Sequence, residues 1–123
     1  MISHDLKLFL FALITYLILD YFWLSIMKSF YVGEMVGSIR KKFRLFPGFL
    51  VYILLSIGLV LFVLPKENAV WLSALYGFIV YGIYNFTNLS LLNNWTIRLT
   101  AVDIAWGIVL NMLVTVIVQT ILG

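Results

Sequence analysis

Residues 47–65 read PGFLVYILLSIGLVLFVLP, a run with no charged side chain and a proline at each end. A helix needs about 20 apolar residues to cross the hydrocarbon core of a bilayer, and this run comes close to that length. Pro47 suits a first helical turn, where its missing N–H is no loss, and Pro65 cannot continue the helix. Three further stretches have the same character: Leu6 to Met27, Ala69 to Leu92 and Arg98 to Leu122. The expected fold is an all-α membrane protein, one domain over residues 1–123, with four transmembrane helices in a small bundle.

Composition points the same way. Of the 123 residues 64% are hydrophobic and 11% charged, and the mean hydropathy is +1.12. A soluble domain of this size buries too small a fraction of its area to hide that much apolar surface. A cleaved signal peptide is the alternative for the first span, but the segment lacks a small-residue cleavage site and runs on through Asp20 and Trp23. It reads as a mature helix. Trp71 and Trp95 fall near the ends of apolar runs, where amphipathic rings are expected at headgroup level. There is no cysteine, which excludes disulfides, thiolate catalysis and cysteine metal sites together.

The net charge of +3 is not spread evenly. Lys28, Arg40, Lys41, Lys42 and Arg44 lie in the first connection and Arg98 opens the fourth span, against Lys7 and Lys66 on the other side. The positive-inside rule then puts both termini outside and the 1–2 and 3–4 connections in the cytoplasm. Anionic headgroups, not nucleic acid, are the expected partner of Arg40, Lys41, Lys42 and Arg44. In the same connection Val32, Met35, Val36, Ile39, Phe43 and Phe46 recur at helical spacing, which fits an interfacial amphipathic helix; a plain basic loop fits as well. The Tyr16 to Ser25 stretch, YLILDYFWLS, also lies over Tyr81 to Ser90, YGIYNFTNLS, and pairs Asp20 with Asn85. Duplication of a hairpin or chance explains it, since spans two and four show no comparable match.

The polar residues inside the spans carry the functional expectation. At about 1.5 Å per residue, Asp20 lies roughly 10 Å in from Met27, Asn85 about 10 Å in from Leu92 and Asp103 about 8 Å in from Arg98. Three helices thus place their most polar residues near one level. A carboxylate at such depth costs about 2.5–3.5 kcal/mol on insertion scales, so Asp20 and Asp103 should face the bundle and find donors there. Helical spacing offers Tyr16 and Trp23 on span one, Tyr81, Tyr84 and Asn88 beside Asn85 on span three, and Thr100, Trp106 and Gly107 on span four. Arg98 is five residues from Asp103 and on another side of the helix, so it snorkels or pairs with Asp20. Asp103, Gly107, Asn111, Thr115 and Gln119 continue at steps of four, a stripe that drifts about 40° per step and winds around the helix. Small and polar residues of this kind often only glue helices together.

Asp20-Tyr-Phe-Trp23-Leu24, Tyr81-Gly-Ile-Tyr84-Asn85-Phe-Thr87-Asn88, and Trp95 followed by Asp103-Ile-Ala-Trp106-Gly107 resemble the uncharacterised, mostly bacterial membrane-protein family filed as domain of unknown function 2177. The resemblance extends over essentially the whole chain. It implies four helices and a bacterial inner membrane, and hands over no activity. Family members usually read Tyr-Asp-x-Thr-Asn where this chain has Tyr84-Asn85-Phe86-Thr87-Asn88, so an amide stands in place of a third acid.

No HExxH, Walker loop or nucleophile elbow is present, and the one histidine, His4, lies outside the spans. No cofactor, metal or catalytic residue is assigned. The leading expectation is a small transporter or channel, self-associated because four helices enclose little, with Asp20 or Asp103 as a proton or cation site. Two other readings stay open. One is an intramembrane enzyme or lipid-binding protein, with Trp23 and Trp106 walling an apolar substrate over the two acids. The other is an accessory subunit whose polar groups only specify helix pairing.

Overall fold

The computed structural model describes residues 2–34 and 45–122. Among the described residues there are four α-helices, α1 (Ile2–Glu34), α2 (Leu45–Gly58), α3 (Ala69–Leu91) and α4 (Ile97–Leu122), with a π-helical turn over Leu59–Val63 closing the second span. Stretches long and apolar enough to cross a bilayer lie at His4–Gly33, Phe46–Val63, Ala69–Leu91 and Ile97–Leu122. The four-helix expectation holds. The first helix differs in length, because it does not stop near Met27 but runs on to Glu34 and takes Val32 into itself. Residues 35–44, where an interfacial helix was expected, lie outside the described residues.

The helices form a ring. α1 packs on α2 and α4, α3 packs most extensively on α4, and the π turn touches both α1 and α3. Going down α1 through Tyr31, Asp20 and Tyr16, the hydrogen-bonded partners on α4 climb through Asp103, Trp106 and Asn111, so the two helices run antiparallel. Thr96 starts α4 as an N-cap, its Oγ1 accepting the Leu99 N–H at 2.9 Å.

Burial is inverted relative to a soluble protein. Asn85, Asn111, Thr115, Ser56 and Ser73 are fully buried, while Phe22, Ile26, Leu54, Phe62, Ile83 and Leu91 point outward. That pattern needs an apolar solvent, since lipid tails welcome the aliphatic side chains and leave polar ones no partner but the protein. An apolar cluster of Ala12, Tyr16, Leu55, Leu59, Val63, Leu110, Val114 and Val118 fills the interior. Trp71 faces outward, whereas Trp95 is buried, packed with Tyr31 and Leu99 where the long α1 meets the α3–α4 connection.

Two close approaches fix the ring. Gly77 of α3 sits against the backbone carbonyl of Gly107 on α4, and the Tyr81 ring lies over Gly107 itself. A Cβ at either position would meet those atoms well inside contact distance. On the second helix Gly58 makes room for the Tyr76 hydroxyl, which donates to the Leu55 carbonyl at 2.9 Å just ahead of the π turn. A side chain that takes over a helix carbonyl is a known companion of such local rewinding.

Overpacking of this kind typically costs about 1–3 kcal/mol. Gly77→Ala, which has backbone and not a flexible side chain to displace, should therefore lower stability by that amount in denaturant unfolding from detergent micelles, and an unchanged midpoint would refute the close packing of α3 on α4.

Candidate functional site

Asp20 projects from α1 and accepts from two neighbouring helices. Trp106 Nε1 donates to its Oδ1 at 2.8 Å, and the Tyr52 hydroxyl of α2 donates to its Oδ2. Asp103, on α4, is served in the same way: the Tyr31 hydroxyl donates to Oδ1 at 2.7 Å and Asn85 Nδ2 of α3 donates to Oδ2 at 2.7 Å. All four carboxylate oxygens are thus bonded, and all four helices contribute. Among the described residues every one of these donors is neutral.

The two tryptophans join the acids. Their rings stack with centroids 4.4 Å apart and planes 4° from parallel. Trp106 points its N–H at Asp20, while Trp23 donates at 2.9 Å to the Tyr31 hydroxyl, which itself holds Asp103. Asp20 and Asp103 are therefore ends of one chain of contacts. Asp20 bonds a residue three positions beyond Asp103 on α4. Another polar contact lies further along the same seam, where the Tyr16 hydroxyl donates to Asn111 Oδ1 and Asn111 Nδ2 donates to the Gly107 carbonyl at 2.7 Å.

The sequence-expected residues divide into two groups. Asp20, Asp103, Asn85, Trp23 and Trp106 are brought together, and Tyr81 lies close by with its ring on Gly107. Tyr84 and Asn88 are not part of this network. Tyr84 is half-exposed with its ring edge-on to Trp95 at 5.8 Å, and Asn88 lies one turn further along α3. The reason is helical phase: at about 100° per residue, Tyr81 and Asn85 share one ridge and Tyr84 and Asn88 the next. Tyr16 turns to Asn111 and not to a carboxylate. Thr100 bonds back to the Thr96 carbonyl. The Arg98 guanidinium lies 5.6 Å over the Phe30 ring, a cation–π contact, so it is not the partner of Asp20.

The stacking also changes what the tryptophans can do. Rings in contact with each other leave no slot between them, so they are not two walls of a substrate cleft. Two open cavities, of about 350 and 300 Å³, lie at the opposite end of the bundle; the smaller is lined by His4, Leu8, Leu64, Val118, Gln119 and Leu122.

Two residues of the network were not legible in the sequence as site residues. Tyr31 lies beyond Lys28, past the expected end of the first span. Tyr52 is the one aromatic hydroxyl in the 47–65 run, and the rule that a buried Tyr hydroxyl seeks a partner was the signal available there.

A family model described as "Predicted membrane protein (DUF2177)" matches residues 5–120. No curated protein gives a significant match, and no solved structure does.

Tyr31→Phe would strand one oxygen of Asp103 and the N–H of Trp23 together. Leaving buried polar groups unpaired costs about 1–3 kcal/mol, and a loss of that size in chemical unfolding is expected; full stability in the variant would remove Tyr31 from the network.

Proposed function

The chain belongs to this family of predicted membrane proteins, and from that premise we propose that it is a small transporter whose intramembrane carboxylates, Asp20 and Asp103, take up a proton or a cationic substrate. One observation carries the reading. Two carboxylates in one network are surrounded, among the described residues, by neutral donors alone. Hydrogen bonds from Tyr, Trp and Asn stabilise a carboxylate but do not cancel its charge, and a buried charge without a counter-ion is costly in lipid. A proton or a mobile cation supplies the missing charge, and its coming and going is the elementary act of a coupled transporter.

The α4 stripe supports the same reading. Beyond Asp103 it continues through Asn111 and Thr115, both fully buried, to the exposed Gln119 beside His4 in the smaller cavity. Polar side chains therefore follow one helix from the acids to the far end of the bundle. In this proposal the membrane is a bacterial inner membrane, both termini face outward, and the 1–2 and 3–4 connections are cytoplasmic. Arg40, Lys41, Lys42 and Arg44 lie on anionic headgroups, and self-association completes the enclosure of the path.

A second reading has its own support: with all four oxygens bonded, the network also serves as a clasp that specifies helix pairing, the role of an accessory subunit. Asp-to-Asn substitution separates the two, because an amide keeps the shape and most of the bonding and loses the proton site. Asp20→Asn and Asp103→Asn, reconstituted in liposomes loaded with a pH-sensitive dye and driven by a potassium diffusion potential, with and without the lipophilic cation tetraphenylphosphonium, are expected to lose proton-coupled flux while remaining folded. Flux equal to the parent protein in both variants would overturn the transport reading and leave the clasp.

A further inference from the structure

Among the described residues two buried polar atoms near this end of the network have no partner: Asn85 Oδ1 and the indole Nε1 of Trp95. Both residues are more than nine-tenths buried, with Asn85 at 0% exposure and Trp95 at 8%. Asn85 cannot satisfy itself by turning its amide over. Its Nδ2 already donates to the Tyr81 carbonyl at 2.9 Å and to Asp103 Oδ2 at 2.7 Å, and the flipped amide would set oxygen against two acceptors. What is unmatched is therefore an acceptor on Asn85 and a donor on Trp95.

The two residues border the same region. Trp95 packs in one cluster with Tyr31 and Leu99, and with Leu89 and Trp23 around it. Leu89 and Leu99 lie one helical turn from Asn85 and Asp103, on the side of the α3–α4 connection. The hydroxyl of Tyr31 is itself bonded to Asp103. Asp103 brings spare capacity of its own, since a carboxylate has about four lone-pair sites and two bonds reach it here. A donor, an acceptor and a carboxylate oxygen are together the complement of one water molecule, which settles in a buried site when it finds two to four polar partners.

We propose that a water molecule binds between Trp95 Nε1 and Asn85 Oδ1 on the connection side of Asp103, and that the Trp95 indole is the plug separating it from the medium at that end. The water rests on the two unmatched atoms and on the neighbours that join them, Tyr31 and Asp103. Its use rests on the transport reading: when the plug moves, a hydronium ion arriving there gives one proton to the Asp103 carboxylate and is left behind as the bound water. Trp95 is in this scheme a positioning residue. It touches the relay and not the transported substrate.

The test uses the full chain with ¹⁵N-labelled tryptophan in lipid nanodiscs. Four indole N–H signals are expected from the four tryptophans, and the one missing in Trp95→Phe is that of Trp95. A magnetisation-transfer cross-peak between this proton and water is expected, with none at the Trp106 proton, which is committed to Asp20 at 2.8 Å. A Trp95 proton as silent toward water as that of Trp106 would overturn the water site. In the liposome assay Trp95→Ala should speed proton entry several-fold while Trp95→Phe, which keeps the ring, should not; entry unchanged in Trp95→Ala would overturn the plug. Failure of Asp103→Asn to affect flux would count against transport but not touch the cross-peak, so the two ideas fail separately.

Discussion

A carboxylate surrounded by lipid has nowhere to find hydrogen-bond donors except in its own protein, and this requirement organises the bundle around Asp20 and Asp103. In a bilayer no hydrophobic force draws one helix to another, so association rests on close packing and on polar contacts between helices. Each seam of the ring carries at least one such contact. Tyr52 to Asp20 joins α1 and α2, Tyr76 to the Leu55 carbonyl joins α2 and α3, Asn85 to Asp103 joins α3 and α4, and three separate bonds run between α1 and α4. The acids are thus the places where the seams meet.

Packing decides which donors can arrive. The α3–α4 approach at Gly77 and Gly107 brings the backbones close enough for the short Asn85 side chain to reach Asp103. The Tyr81 ring fills the space that Gly107 leaves open. Across the bundle Gly58 admits Tyr76, and α2 gives up regular geometry to a π turn next to that contact. Small residues in this protein make room for large ones, Gly58 for Tyr76 and Gly107 for Tyr81.

Much of the fold was legible in the sequence because lipid imposes a simple length rule, which four stretches meet or come close to and which the prolines at 47 and 65 bound most sharply for the second. Asp20 and Asp103 stood out because charge is rare in such runs, and Asn85 because it shares their depth. Tyr31 was hidden by its place after Lys28, where the same length rule ends a span while the helix in fact continues. Tyr84 and Asn88 were grouped with Asn85 by helical spacing, which picks out one broad face of α3 and does not separate its neighbouring ridges. The mutual stacking of Trp23 and Trp106 could not be read at all, since residue type and spacing say which rings are near a level and not which rings touch. Trp95 shows the converse, an aromatic at the end of an apolar run that packs against the far end of α1.

The unequal lengths of the first two helices have a mechanical side. α1 has 33 residues, about 50 Å of helix, while the second span from Phe46 to Val63 has 18, about 27 Å. A hydrocarbon core about 30 Å thick matches the second and is exceeded by the first, so α1 meets its surroundings by leaning or by standing proud of the surface. Thinner or thicker lipid changes that lean for α1 and far less for α2. The two helices are tied together by the Tyr52–Asp20 hydrogen bond among other contacts, so a change in the lean of α1 is carried to the carboxylate that also holds Trp106.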